Sequence, residues 1–208
     1  MANALLTALF FFAAVCFADE DVKPLCFDFS KPVNEPLSRP IPLLKGEDNF
    51  ESGLKPFDVH WSAARATVPL SVKQISDWLL DHTHWKDTSK TKLTLEKEPS
   101  PHFFELHRLK VDANVFAFIW IDWVEMWAYR VVKGTVKNPQ TLLVSYQKTE
   151  GTGHITRLCG SVFVKSLGPK KSDVFLYEEA KANRYESDNI RSLHVANLFH
   201  LRHLEPAK

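Results

Sequence analysis

Asp81, His82, His84 and Asp87 form the densest cluster of metal-competent side chains in the sequence. Two histidines one residue apart, flanked by carboxylates, can hold zinc or another transition metal once a third ligand is placed beside them. No second motif supplies that ligand. The plainer reading is a solvated loop after a helix, where the dipole favours histidine. His194, His200 and His203 fall in one C-terminal stretch, and His200 and His203 can share an exposed helix face. Glu105, Glu125, Arg130, Arg157 and Glu178 stand inside strand-like runs. An Arg–Glu pair within an apolar cavity would grip a carboxylate or phosphate head group. On a solvent face the same pair is a weak cross-strand contact, and that reading is preferred. Nucleophilic catalysis has little support. Gly160-Ser161-Val162 is not a G-x-S-x-G elbow, and Cys159 has no base nearby in sequence. No glycine-rich phosphate loop and no CxxC pair occurs, so no metal, cofactor or catalytic residue is assigned.

Composition narrows the classes further. The 208 residues carry 26 Lys+Arg against 25 Asp+Glu, a net charge of +1, which gives no electrostatic argument for nucleic acid. The aromatic series Phe116, Phe118, Trp120, Trp123, Trp127 and Tyr129 then reads as wall and core and not as a base-stacking platform. Hydrophobic residues make up 45%, with 15 Phe and 6 Trp, which suits a folded domain with a large apolar interior or cavity.

Residues 4–18 hold no charge and no proline, end in small residues and meet Asp19-Glu20-Asp21. The run is short for a membrane span and has the shape of a secretory signal cleaved after Ala18. A retained anchor and a lipoprotein acylated at Cys16 are the alternatives. Export to a periplasm or the exterior is the expectation. Cys26 and Cys159 remain in the mature chain, either paired or as two buried thiols.

Six prolines fall between 19 and 56, so this segment is an extended arm. Its Leu25, Phe27, Phe29, Ile41, Leu43 and Leu44 suggest that it lies on the domain, which is drawn as 57–208. A first strand is predicted from Val59. Ser71 and Gln74 have the spacing of a capping box for a helix over 71–81. Strand-like runs follow at 92–97, 103–111, 124–132, 141–149, 156–166 and 174–181, separated by Gly and Pro turns. Residues 115–121 read equally as strand or apolar loop. An amphipathic helix is predicted over 189–204, with Ile190, Leu193, Asn197, Leu201 and Leu204 on its inner stripe and His194 at the edge.

Four stretches carry a family resemblance. Residues 65–75 (RATVPLSVKQI) take a strand into a helix, and Trp85 follows it. Residues 157–169 (RLCGSVFVKSLGP) run Gly, aromatic, turn. Residues 173–180 (DVFLYEEA) precede the last helix. Taken in order, they resemble the START-like superfamily, the helix-grip fold shared with the birch-pollen allergen family. The resemblance implies an α+β helix-grip fold, a curved antiparallel sheet wrapped around the long C-terminal helix, with a hydrophobic-ligand cavity between them. It does not choose a reaction, because members include carriers and cyclases. The expected function is binding of a lipid or other hydrophobic small molecule by a monomer. Candidate cavity residues are Trp120, Trp127, Tyr129, Arg130, Phe163, Tyr177, Leu193, His194, Asn197 and Leu201. The alternatives are a filled-core domain whose N-terminal arm binds a protein partner, and an enzyme of the cyclase or hydratase type.

Overall fold

The computed structural model describes residues 25–44, 47–82, 90–116, 119–182 and 186–204, with backbone only at 115, 116 and 119. Eight antiparallel strands form one sheet: β1 (Asn49–Lys55), β2 (Val59–Val68), β3 (Thr91–Lys97), β4 (Glu105–Phe116), β5 (Ile119–Gly134), β6 (Pro139–Gly151), β7 (Ile155–Gly168) and β8 (Lys171–Ala182). Helix α1 (Val72–Leu80) follows β2, and α2 (Ser187–His203) ends the fold. The strand order is β1-β2-β8-β7-β6-β5-β4-β3. From β3 to β8 each strand pairs with the next, and β2 then joins the free side of β8.

The local signals act as their chemistry requires. The Gln74 amide donates to Ser71 Oγ at 3.2 Å, and the Ser71 amide donates to Gln74 Oε1 at 3.0 Å, so α1 starts on a closed capping box. Its apolar face buries Val72, Ile75 and Leu79. Of the ambiguous stretch at 115–121, residues 115 and 116 end β4 and residues 119–121 begin β5; 117 and 118 lie outside the described residues.

The expected wrapping of the sheet around the C-terminal helix is not what forms. The sheet is open, and its end strands β1 and β3 do not pair with each other. Helix α2 packs chiefly on β2 and β1 and only marginally on β8, while α1 packs on β6 and β7. A helix is about 10 Å across and neighbouring strands are about 4.8 Å apart, so one helix covers two or three strands of an open sheet. The inner faces of β3 and β4, and of β5 before Tyr129, are thereby left without close helix cover. The α2 stripe is also rotated from the expected one. Ile190, His194, Leu198 and Leu201 are buried, whereas Leu193, Asn197 and Leu204 lie at the edge.

The arm covers the opposite, outer face. Cys26 is disulfide-bonded to Cys159 on β7, with Cα atoms 6.3 Å apart. Gln147 on β6 pairs with the backbone of Phe27 in both directions, each bond 2.8 Å. The Leu37 amide donates to Ser161 Oγ at 2.8 Å, and Arg65 Nη1 donates to the Ile41 carbonyl at 2.6 Å. Arg65 is itself held by Asp173 through Nε and Nη2, at 3.0 and 2.7 Å. Phe29 and Val33 pack on Phe103, Leu106 and Ala128, and Leu37 and Ile41 on Ala63, Phe175 and Tyr177. Strand β1 also lies within the proline-rich stretch, in its proline-free portion NFESGLK. Both faces of the central strands are therefore buried, which is why β6 and β8 lack an alternating burial pattern.

Candidate functional site

Strand alternation turns one row of side chains toward the uncovered inner face. From β3 come Thr91 and Leu93; from β4, Leu109, Val111 and Ala113; from β5, Ile121, Trp123, Glu125 and Trp127. Leu158 on β7, Glu178 and Ala180 on β8, and Leu193 at the edge of α2 complete most of the wall. His82, just beyond α1, and His154 also line it. These residues enclose a cavity of about 450 Å³. Ligand pockets run from about 300 to 1,000 Å³ with mostly apolar walls and a few placed polar groups.

The polar groups are tightly held. Glu125 is buried, and each of its oxygens accepts one indole N–H, from Trp123 at 2.6 Å and from Trp127 at 2.7 Å. Burial raises its carboxyl above the ordinary range, and the two indole bonds partly oppose the rise. Trp127 stacks on Tyr146 with centroids 4.3 Å apart and planes within 10°. The Tyr146 hydroxyl donates to Glu178 Oε2 at 2.6 Å.

That last bond spans β7, and Gly160 allows it. A Cβ at Gly160 would lie 2.1 Å from Tyr146 Cζ and 2.2 Å from its hydroxyl oxygen. Gly160→Ala is expected to push the ring off Glu178 and loosen the Trp127 stack, at a cost of about 1–3 kcal/mol, as for overpacking. Urea denaturation reads this directly; an unchanged midpoint would mean that the ring has another place to go.

Beside the cavity, His82 Nε2 lies 2.7 Å from His107 Nε2. One ring must donate and the other accept. The Tyr129 hydroxyl donates to the Leu79 carbonyl at 2.8 Å and shows its lone pairs to His82 Nε2 at 3.4 Å. This network assigns the shared proton to His82 and the Nδ1 proton to His107. Neither Nδ1 has a hydrogen-bond partner among the described residues. Burial lowers the two imidazoles to about 3 for His82, where His107 adds repulsion, and to about 4 for His107. Both are neutral at pH 7.

The sequence-predicted residues divide by strand parity. Trp127 and Leu193 line the cavity. His194, Asn197 and Leu201 border a neighbouring gap of about 10 Å³, room for one water at most. His194 sits in the middle of the buried stripe, its Nδ1 without a hydrogen-bond partner among the described residues and its imidazole lowered to about 4 by burial. Tyr129 is on the inner face but is taken up by α1. Trp120 and Arg130 occupy the opposite parity on β5. Trp120 is 47% exposed, with Lys92 Nζ 5.5 Å from a ring centroid, and Arg130 donates to the His102 carbonyl at 3.1 Å. Phe163 and Tyr177 belong to the outer layer under the arm. Glu125, Trp123, Glu178, Tyr146 and His82 were absent from the predicted cavity set, although Glu125 and Glu178 were named among the strand charges and His82 in the metal-competent cluster. Glu125 shares its parity with Trp123 and Trp127, and that signal was present in the sequence. His84, Trp85 and Asp87 lie outside the described residues.

No family model matches the chain, and no curated protein matches it. Solved structures do. The lipid transfer and protein localization domain of human StarD13 matches with a TM-score of 0.54 at 10% identity, over 76% of this chain and 90% of that one. A START superfamily protein from Mycobacterium smegmatis matches at 0.45 and 14% identity, over 68% and 90%. The Zhui aromatase/cyclase from a Streptomyces species matches at 0.44 and 12% identity, over 66% and 83%. At such identities the likeness is one of fold, and the StarD13 domain carries it. The resemblance to the START-like superfamily holds at that level.

Proposed function

We propose that this protein binds a lipid or other hydrophobic small molecule in the cavity bounded by the inner faces of β3, β4, β5, β7 and β8 and the edge of α2. The observation that carries the reading is a cavity of about 450 Å³ with apolar walls and a few fixed polar groups. The fold shared with a lipid transfer domain supports it. Native mass spectrometry of protein purified from its own compartment is the test. A co-purifying apolar mass is expected, and repeated recovery of the bare chain, together with failure to take up any apolar probe, would overturn the reading.

Two leucines of α2 separate wall from core. Leu201 is fully buried and its change to Ala is expected to cost about 2–5 kcal/mol. Leu193 is half-buried on the cavity edge, so Leu193→Ala should cost only about 1 kcal/mol while altering ligand uptake. Equal losses of stability, with ligand content unchanged, would count against a ligand beneath α2.

Export belongs to the same proposal. The apolar run at 4–18 before three acids supports it, as does a disulfide, which persists in oxidising compartments. N-terminal sequencing of the mature protein is expected to begin at Asp19, and recovery of Met1 would sink it.

One observation favours a second reading, catalysis by proton transfer. Glu125 and His82 line one cavity, and burial raises the carboxyl of the one and lowers the imidazole of the other. Turnover of a bound compound that disappears in Glu125→Gln would select this reading over carriage alone.

A further inference from the structure

Resting on the proposal that the cavity holds a hydrophobic ligand, we infer that it sorts ligands by head-group charge, accepting a hydrophobic amine and refusing the carboxylate or phosphate of the same tail. Two acids, Glu125 and Glu178, line the cavity, and among the described residues no lysine or arginine does. Strand parity produces most of this one-sidedness: Lys92 lies between Thr91 and Leu93, Lys110 between Leu109 and Val111, and Lys181 between Ala180 and Ala182, so each of these turns to the outer face. Lys148, which the register sets opposite Glu125, donates to the Thr152 carbonyl at 3.2 Å and is not part of the lining. Arg157 is likewise spent on the outer face, where its guanidinium donates to Glu179 from Nε at 2.8 Å. The Arg–Glu grip that sequence allowed for an anionic head group therefore has no arginine.

Glu125 has capacity left for a ligand. A carboxylate offers about four lone-pair positions, and the two indoles occupy one on each oxygen. An ammonium entering the cavity opposes the burial-driven rise of the Glu125 carboxyl, favours its ionised form, and exchanges water for a charge-assisted bond to it. An anionic head group loses its water and meets two carboxyl groups on a wall that holds no lysine or arginine among the described residues, a costly kind of burial. His82 adds no positive charge, because its ring is neutral; His154 is the other imidazole on the wall. An uncharged alcohol pays neither penalty and gains no ion pair.

Calorimetric titration with decylamine, decanol and decanoate at pH 7 tests this, since the tail is constant. Decylamine is expected to bind at least roughly tenfold more tightly than decanoate, a gap of one decade in Kd. In Glu125→Gln the ratio should fall toward one while decanol affinity holds, with circular dichroism checking the fold. Glu178→Gln should narrow the ratio in the same direction and serves if the first variant does not fold. Equal binding of the three probes, or tighter decanoate, would overturn charge sorting and leave the hydrophobic cavity standing. Binding of none would remove the cavity reading and this inference with it.

Discussion

Replacing both Cys26 and Cys159 with Ser is expected to remove about 2–5 kcal/mol of stability, the cost of losing a native disulfide. The bond joins residues 133 apart in sequence, so the loop it closes is long and its entropic share stands at the high end of that range. The arm should feel the loss most. Its other ties are a few hydrogen bonds and the side chains of Phe27, Phe29, Val33, Leu37 and Ile41 on the outer face. Urea denaturation gives the stability change. Hydrogen exchange at the amides of Phe27 and Leu37, which donate to Gln147 and Ser161, reports the arm separately. Unchanged protection at both amides with an unchanged midpoint would show that hydrogen bonds and packing hold the arm without the disulfide.

Acid is expected to cost still more. His82, His107 and His194 are all buried, with imidazoles lowered to about 3, 4 and 4. An unfolded histidine takes its proton near pH 6.5, well before these folded ones do. The stability they contribute is complete above about pH 6.5 and is lost as pH falls toward their folded values. The slope is up to about 1.4 kcal/mol per pH unit for each ring. Glu125 works in the opposite sense, because its raised carboxyl binds a proton in the folded state first and regains stability on acidification. Three groups against one leave a net loss. Urea midpoints at pH 7, 6 and 5 should drop accordingly. His194→Leu, which removes an imidazole whose Nδ1 has no partner among the described residues, should flatten the profile by about one ring's share without weakening the protein at pH 7. Parallel profiles for the variant and the parent would assign the acid sensitivity elsewhere.

Elements that depend on neighbours a few residues away were legible in the sequence. The capping box at Ser71 and Gln74, the strands between Gly and Pro turns, and the terminal helix all form where their patterns place them. Strand β1 was hidden because Asn49–Lys55 is a largely exposed edge strand set between prolines, with little hydrophobic alternation to mark it. The site was half legible. Parity along β5 could have paired Glu125 with Trp123 and Trp127, but it could not say which parity faces the cavity, since the arm buries the other face too. Trp120, Arg130, Phe163 and Tyr177 were misplaced for that reason. His82 became a wall residue only through its approach to His107, a contact between α1's end and β4 that no local spacing encodes. On α2 the rotation of the stripe from Leu193 and Asn197 to His194 and Leu198 reflects a helix seated on β1 and β2.

The position of β2 has a consequence for assembly order. Strands β3 to β8 zip together through successive hairpins, each between neighbours in the chain. β2 waits for the last of them, with His60 meeting Ala180 and Val68 meeting Ser172. It is also the strand that both chain ends use, the arm reaching it at Arg65 on one face and α2 resting on the other. Closing so long a loop is entropically slow. During synthesis β1, β2 and α1 emerge first; β1 and β2 can pair with each other as a local hairpin, but that hairpin joins the rest of the sheet only once β8 follows.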